Sequence, residues 1–295
     1  MPTNTRSASA IASIVIPAYN EATVIRRCLA KLLADARPGE LDVIVACNGC
    51  QDSTAAVAMG FSPSVRVAEI ATASKIAALN LGDQIAQGFP RLYVDADVEV
   101  STDSVRQLVA ALNEPGVMLA EPALELDLTA ASPLIRAQSR AWLVLAREKG
   151  ALAGGGVLAL SEAGHRRIGL FPDVVAEDLF VRNLFGPHER RVVGSATSTV
   201  RPPRTLGSFL RVKSRVVAAN RRYWRSNLPR FSESRPSRLH TLLWLVRRPA
   251  GWPDAAAYIG LAAAVRLKAS WERMLHHDVA WERDETSRGS ADQDG

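Results

Sequence analysis

The chain has 295 residues, of which 47% are hydrophobic and 22% are charged. Because this balance supports a sizeable hydrophobic core, it excludes a small scaffold that depends on disulfides. The three cysteines are an odd number and favour a reducing compartment. The apolar run at 11–16 is too short for a signal peptide, and no stretch of about 18 uncharged apolar residues predicts a membrane span.

The net charge of +6 conceals two segments of opposite charge. Residues 201–248 contain thirteen Lys and Arg against one acid, Glu233, which gives +12. The remainder holds 23 bases and 29 acids, which gives −6. The basic segment needs an anionic partner or a solvated face, and a diphosphate, an anionic membrane surface and nucleic acid are the candidates.

The first hundred residues alternate between strand patterns and helix patterns. Short apolar runs predict strands at 11–17, 41–46, 65–70 and 91–94. Apolar residues at helical spacing predict a helix between each strand and the next. This alternation predicts an α/β fold in which a mostly parallel sheet is covered by helices on both faces.

The pattern changes after residue 200, where only helices are predicted. Beyond the first hundred residues, helices are predicted at 102–113, 133–149, 208–224, 239–248 and 255–275, and one further helix contains Glu177 and Asp178. Strands are predicted at 117–120, 157–160 and 192–193, all before residue 200. The predicted organisation is a disordered N-terminus at 1–10, an α/β domain at 11–200, a basic helical extension at 201–287 and a disordered tail at 288–295.

Two aspartates, Asp95 and Asp97, follow the fourth predicted strand. A buried strand would deliver both carboxylates to the carboxyl edge of the sheet, where open α/β sheets bind ligands. Two hard oxygen ligands suit a Mg²⁺ or Mn²⁺ ion that keeps several waters and takes further oxygens from a diphosphate. The alternative interpretation is an acidic turn, since Asp favours turns.

Other polar stretches also follow predicted strands, at 17–21, 48–54 and 72–75. The carboxyl ends of parallel strands lie side by side, so these stretches and the two aspartates can line one pocket.

Six motifs occur in an order that resembles one enzyme family. They are residues 14–21 (IVIPAYNE), 48–54 (NGCQDST), 74–80 (SKIAALN), 95–97 (DAD), 154–160 (GGGVLAL) and 177–178 (ED). This series resembles the family 2 glycosyltransferases, which have the GT-A nucleotide-diphospho-sugar transferase fold. The resemblance covers residues 11–200 and implies a nucleotide-sugar donor.

The resemblance also implies which residues contact the donor. Those assigned to nucleotide-sugar binding are Pro17, Tyr19, Glu21, Asn48, Asp52, Lys75 and Asp95. Lys75 would supply a point charge for phosphate, or else be a solvated helix lysine. The family usually has two acids where this chain has Cys47 and Asn48. An amide can both accept from and donate to a base, so UDP- and GDP-type donors both stay open.

The same resemblance assigns the metal and the catalytic residues. Asp97, with Asp95, would hold a divalent metal, Mg²⁺ or Mn²⁺. Asp178 would be the base that takes the acceptor proton during inverting transfer, with Glu177 in support. The alternative is that both acids only complement a helix dipole.

The basic segment offers Lys213 and Arg215 as a possible phosphate clamp, with a basic surface helix as the alternative. The Q-x-x-R-W motif of processive family members has no clean match here, which predicts a non-processive enzyme. Arg-rich helices with Trp and Leu suit a membrane surface. Peripheral contact with the inner face of the membrane and a lipid-linked or cell-envelope acceptor therefore both stay open. We expect the protein to be cytoplasmic and to have no nucleic-acid partner.

Three features have weaker claims to function. Cys47 and Cys50 lack the further ligands that zinc requires, and the histidines, His165 among them, show no convincing spacing to a carboxylate. The triple glycine lies far from the first strand–helix turn, where a G-x-G-x-x-G motif binds phosphate.

Two rival functions are a sugar-phosphate nucleotidyltransferase and a non-catalytic basic binding protein. The first predicts a G-x-G-T-R-type loop, but Pro17-Ala18-Tyr19-Asn20 stands there. The second predicts binding that collapses with salt and survives loss of Asp97.

Overall fold

The computed structural model describes residues 10–148, 155–228 and 251–274 of the chain. The predicted helix at 239–248 lies outside the described residues, as do the predicted disordered ends apart from residue 10. The described strands are β1 Ala12–Ala18, β2 Leu41–Asn48, β3 Val65–Ile70, β4 Arg91–Val94, β5 Glu99–Val100, β6 Leu119–Leu126, β7 Val157–Leu160 and β8 Arg190–Val200. The described helices are α1 Ala22–Leu33, α2 Thr54–Met59, α3 Lys75–Ile85, α4 Thr102–Leu112, α5 Pro133–Glu148, α6 Glu162–Ile168, α7 Glu177–Asn183, α8 Leu206–Arg225 and α9 Trp252–Met274.

The strands form one eight-stranded sheet in the order β3-β2-β1-β4-β7-β6-β8-β5. The first four strands pair in parallel, as their separation by helices requires. β7 then runs antiparallel to both β4 and β6, and β8 runs antiparallel to β5. The predicted fold class is confirmed, and the reversal at β7 brings a distant segment beside the end of β4.

The core lies between the sheet and its helices. All seven residues of β1 are buried, which is why its sequence is an apolar run without polar alternation. Helix α1 buries a face spaced by three and four residues, and this face comprises Val24, Ile25, Cys28, Leu29 and Leu32. These buried residues are the apolar ones at helical spacing from which the sequence predicts a helix after the first strand.

The chain divides into two compact units. The first contains Met1–Glu125 and Gly154–Val200, and the second contains Leu126–Ala153 and Arg201–Gly295. Helix α5 therefore belongs with the C-terminal helices, although the sequence places it inside the domain at 11–200. The reason is its packing: Ile135 clusters with Phe209 of α8 and with Leu261 and Val265 of α9.

Among the described residues, no helix combines the length and apolar character that crossing a bilayer requires.

Candidate active site

A cavity lies in the first unit at the carboxyl ends of the parallel strands. It is open at its mouth, and the roughly 510 Å³ of space among its lining residues includes solvent outside the cavity. Its lining residues are Pro17, Lys75, Leu79, Tyr93, Asp95, Gly156, Val157, Leu158, Phe171, Glu177, Asp178 and Arg182. Five of the predicted site residues are thereby brought together, namely Pro17, Lys75, Asp95, Glu177 and Asp178.

Lys75 joins two of the acids. It is the first residue of α3, whose preceding residue, Ser74, caps the helix by accepting a hydrogen bond from Ala77 N at 3.2 Å. The Lys75 ammonium lies 2.6 Å from Asp95 Oδ1 and 2.5 Å from Glu177 Oε1. Burial of the ammonium opposes its charge, but the two carboxylates outweigh this and raise the pKa of Lys75 well above its usual value. Lys75 therefore remains a cation throughout the ordinary pH range.

Gly156 positions Asp95 in the wall of the cavity. The Asp95 N–H donates to the Gly156 carbonyl at 2.9 Å, an interaction that follows from the antiparallel pairing of β4 and β7. Gly156 has a φ of 79°, and a Cβ there would lie 2.9 Å from Asp95 Oδ2 and 2.7 Å from Val98 Cγ2. Both the backbone angle and the close approach require glycine. The sequence marks the triple glycine but does not reveal this contact.

The two acids of α7 have different surroundings. The side chain of Glu177 is 14% exposed and is held by Lys75, whereas that of Asp178 is 55% exposed. Arg182, one turn later, lies 3.4 Å from Asp178 Oδ2 and 2.7 Å from Oε1 of the buried Glu121. Asp178 is therefore the open carboxylate of the cavity.

Arg182 and Glu121 are absent from the residues predicted for the site. The i, i+4 spacing of Asp178 and Arg182 is visible in the sequence and is a signal for their pairing. The partner on β6 is not visible there. Burial of the Arg182 guanidinium opposes its charge, and the nearby Glu121 and Asp178 carboxylates overcome this and raise its pKa.

One residue of the apolar wall of the cavity, Tyr93, contacts a buried polar cluster. Tyr93 and Phe171 meet edge to face, with ring centroids 5.0 Å apart. The Tyr93 hydroxyl donates to Asp83 at 2.9 Å, and the Asp83 carboxylate also lies 2.6 Å from Arg91 Nη1 and 3.3 Å from His165 Nε2. The sequence spacing of His165 does not indicate this carboxylate neighbour, because the contact arises from packing of α6 against α3.

A second polar cluster lies where β1 and β2 end. Asp52 Oδ2 accepts from the Ala22 N–H at 3.1 Å, and Asp52 Oδ1 accepts from the Thr54 N–H at 3.0 Å. One carboxylate thus receives backbone donors at the starts of both α1 and α2. Asn20, which has a φ of 50°, accepts from Gln51 N–H at 2.6 Å. Asp52 therefore holds two loops together, and its predicted contact with the donor stays a prediction.

Asn48 is also engaged by the protein. Its side chain is buried, and its amide is oriented from the hydrogen-bond network, since nitrogen and oxygen must be assigned in this way. The nitrogen donates to the Ala18 carbonyl at 2.8 Å, and the oxygen accepts from Ser74 N–H at 3.2 Å. Its contact with a nucleotide base stays a prediction.

The remaining predicted donor and metal residues lie outside this cavity's lining. Tyr19 is half-buried and Glu21 is buried. Asp97 lies in the turn after β4, and its charge, second to burial, raises the pKa of the Cys28 thiol on α1. The two aspartates of the D-x-D motif therefore have different surroundings, with Asp95 on the cavity and Asp97 near α1.

Asp95 and Asp97 carry carboxylate oxygens, the donor atoms that Mg²⁺ and Mn²⁺ prefer, so their chemistry fits a hard divalent cation. Their role as metal ligands stays a prediction. No group of three or more His, Cys, Asp or Glu side chains within the described parts of the chain is arranged as a metal site. The remaining ligands would have to be water and oxygens of a bound diphosphate.

Cys47, at the end of β2, does not have the properties of a reactive thiolate. Burial and the neighbouring Cys50 raise the pKa of Cys47 to about 12, so its thiol stays protonated at neutral pH. Cys50 Sγ donates to the Ala18 carbonyl and accepts from Asn20 N–H, both at 3.3 Å.

Lys213 and Arg215 lie on α8 in the second unit. Lys213 is exposed, and its ammonium is 6.0 Å from the centroid of the Phe209 ring. Their role as a phosphate clamp stays a prediction.

Comparison with known proteins adds independent information. Residues 13–124 match the sequence pattern of "Glycosyl transferase family 2". Glycosyltransferase AglE of Haloferax volcanii is 30% identical over 112 residues, which are 36% of this chain and 37% of that protein. The chain thus matches little more than a third of the length of this curated relative.

Two solved structures support the fold. The mannosyltransferase PcManGT from Pyrobaculum calidifontis, in complex with GDP-Man and Mn²⁺, aligns with a TM-score of 0.60 at 19% identity, over 92% of this chain and 82% of its own. Glucosyl-3-phosphoglycerate synthase from Mycobacterium tuberculosis, with phosphoglyceric acid, aligns with a TM-score of 0.51 at 20% identity, over 78% and 85%. These likenesses confirm the predicted GT-A fold.

Proposed function

Because residues 13–124 match the sequence pattern of glycosyl transferase family 2, we propose that this chain transfers a sugar from a nucleotide-diphosphate sugar to an acceptor hydroxyl, with inversion and without processivity. One observation carries the proposal: an exposed carboxylate, Asp178, shares a cavity with the linked charges of Lys75, Asp95 and Glu177. A transferase needs both an open base and a charged site for a diphosphate.

Asp178 is the proposed base. An acceptor hydroxyl would give its proton to Asp178 as its oxygen forms a bond with the anomeric carbon of the sugar. The bond from that carbon to the phosphate oxygen breaks, and the nucleoside diphosphate leaves with the electron pair. Attack from the side opposite the diphosphate inverts the anomeric configuration. The exposure of Asp178 supports this role, because a base must be reached by the acceptor.

Lys75 and Glu177 are proposed to hold the donor side. The Lys75 ammonium would move from its carboxylate partners towards the incoming diphosphate, which is a stronger anion. Glu177 would remain to position Lys75. A divalent metal on Asp95 and Asp97 would supply Lewis-acid stabilisation of the leaving diphosphate.

The donor is proposed to be a UDP- or GDP-type sugar, with its nucleoside near Pro17, Tyr19 and Glu21. The PcManGT structure contains GDP-Man and Mn²⁺, which supports a metal-dependent nucleotide-sugar site on this fold. We propose a lipid-linked or cell-envelope acceptor and a peripheral location at the inner face of the membrane, on the basis of the basic helices.

The test combines donor binding with turnover. Thermal shift with a set of nucleotide-sugars, with and without Mn²⁺, should reveal a stabilising donor that needs the metal. Asp178→Asn should keep this shift and lose turnover of that donor by about 10²–10⁴-fold, the usual contribution of a general base.

The matched control is Asp103→Asn, which removes an exposed acid from the first turn of α4 as Asp178→Asn does from α7. If both variants keep turnover, or both lose it equally, the acid of α7 only complements its helix and the proposed base is wrong. Absence of any metal-dependent shift across the donors would contradict the nucleotide-sugar site itself.

A further inference from the structure

Helix α9 is apolar on its solvent side as well as on its core side. Its core face packs in the second unit through Ala255, Leu261, Val265 and Ala269, all buried. The large exposed hydrophobic residues of this helix are Trp252 at 57%, Ile259 at 40%, Leu267 at 72%, Trp271 at 63% and Met274 at 64%. A surface helix ordinarily places polar residues opposite its core face.

These exposed residues form one continuous face. At about 100° per residue they fall within a sector of about 120°. The half-buried Ser270 is the one polar residue of this sector, which also contains the exposed small residues Ala256, Gly260 and Ala263. The first described charge beside it is the exposed Arg266, just beyond its edge. We call these five large and three small residues the outer face of α9, and a patch of this kind marks an interaction surface.

The unit that contains this face is strongly basic. Its described residues, at 126–148, 201–228 and 251–274, include fourteen Lys and Arg and four Asp and Glu, a formal charge of +10. Three of the four acids already pair with bases of the same unit: Asp127 with Arg201, Asp254 with Arg140, and Glu272 with Lys268. An approaching partner therefore meets mainly positive charge.

We propose that the outer face of α9 docks into the headgroup region of an anionic lipid bilayer, with the helix lying in the membrane plane. This specifies the membrane contact of the proposed function, but it does not depend on sugar transfer. Tryptophan favours the membrane–water interface, and Trp252 and Trp271 stand near the two ends of the helix. Basic residues beside an apolar face add attraction to anionic headgroups.

Charge distinguishes lipid from a second copy of the chain. Burying one outer face against another would bring two units of +10 together, and their repulsion opposes association. An anionic surface has the complementary charge. The core face of α9 packs against α5 and α8. Only its outer face can therefore contact a membrane, and the helix axis would lie parallel to the membrane surface.

The experiment is vesicle co-sedimentation of the full chain without nucleotide-sugar, using phosphatidylcholine alone or mixed with phosphatidylglycerol. The wild type should bind the anionic vesicles at least about tenfold better than the neutral ones. The double variant Leu267→Glu with Trp271→Glu should reduce that binding by at least about tenfold. The reason is that burial of one large apolar side chain in the membrane contributes about a factor of ten to the binding constant.

The control is Met59→Glu, which places one such negative charge on a half-exposed methionine in the first unit. It should bind like the wild type. Circular dichroism should show equal helix content in all three proteins, because every altered side chain is exposed. Quenching of wild-type tryptophan fluorescence by brominated lipid, reduced in Trp271→Phe, tests insertion without adding any charge.

Three results would overturn the proposal. The first is failure of the wild type to bind anionic vesicles. The second is binding of the double variant equal to that of the wild type, which would leave charge alone as the cause. The third is a dimer, seen by light scattering of the protein without lipid and dissociated in the double variant, which would make a second copy the occupant. Since no donor is present, each result leaves the proposed transfer untouched.

Discussion

Two polar clusters lie at the carboxyl edge of the same sheet, and they are built differently. The scaffold cluster consists of Asn20, Asn48, Asp52 and Thr54, and its side chains bond largely to backbone groups. The cavity cluster consists of Lys75, Asp95, Glu177 and Asp178, and its charged side chains bond to one another or to Arg182.

The difference shows which motif residues can exchange partners. A side chain that satisfies buried or helix-end backbone groups cannot leave without exposing them, so the fold depends on it. An ion pair between two side chains can be replaced by a charged ligand at little cost to the fold. The scaffold cluster should therefore control stability, and the cavity cluster should control binding and turnover.

After the loss expected for Asp178→Asn, the largest expected effect on turnover comes from Gly156→Ala. A Cβ at this position would lie against Asp95 Oδ2, and a φ of 79° is strained for alanine. Displacement of Asp95 should reduce turnover of the preferred nucleotide-sugar about 10²-fold, as misplacement of a site by about 1 Å does. Steady-state kinetics at saturating Mn²⁺ would measure it.

Gly39→Ala is the control for the backbone strain alone, because Gly39 has a φ of 74° and open space around its Cβ position. It should lose stability but keep its turnover. Equal losses of turnover in the two variants would mean that strain, not the position of Asp95, is the cause.

The next effect is on stability, from Asp52→Ala. Removing acceptors for the first N–H groups of α1 and α2 should lower the free energy of unfolding by about 1–2 kcal/mol. Urea denaturation would measure this loss. Asp178→Ala removes an acid of similar exposure from the cavity cluster and should change the unfolding free energy by less than about 0.5 kcal/mol. The reverse order would remove the proposed division between the clusters.

An effect of about the same free energy is expected on binding for Lys75→Met, and its two parts have opposite signs. Donor affinity should fall about tenfold with loss of the phosphate charge. Mn²⁺ alone should bind more tightly, because Asp95 loses its competing ammonium. Calorimetric titration of each ligand separates the two parts, and weaker binding of both would show that Lys75 only maintains the shape of the cavity.

The smallest effect is a pH dependence in an ion pair outside both clusters. Hydrogen bonds from the Arg106 side chain and the Arg37 backbone lower the pKa of Glu40 to about 2, from an unfolded value of about 4.3. Because the pKa of Glu40 is lower in the folded state, ionised Glu40 contributes fully to the stability of the fold above its unfolded pKa. This contribution disappears as the pH falls towards 2. The difference in the free energy of unfolding between wild type and Glu40→Gln should be constant near neutral pH and should decrease at acidic pH. A difference that increases at acidic pH would contradict the sign.

Much of the first unit could be predicted from the sequence because its signals are local. The apolar run at 11–17 identifies β1, observed at Ala12–Ala18, and the run at 91–94 is β4 without change. Residues that follow successive parallel strands must share one edge, so Pro17, Lys75 and Asp95 could be expected together before their distances were known.

The strand–helix alternation, the family motifs and the basic composition beyond residue 200 can be read from the chain alone, since each is a local property of the sequence. Long-range packing is what reverses β7 so that Gly156 lies against Asp95, brings Glu121 to Arg182, and sets α5 against α8 and α9. The same packing leads Asn48 and Asp52 to bond to the protein itself. Each of these contacts joins segments far apart in sequence, and packing of the whole core, not any local preference, selects them.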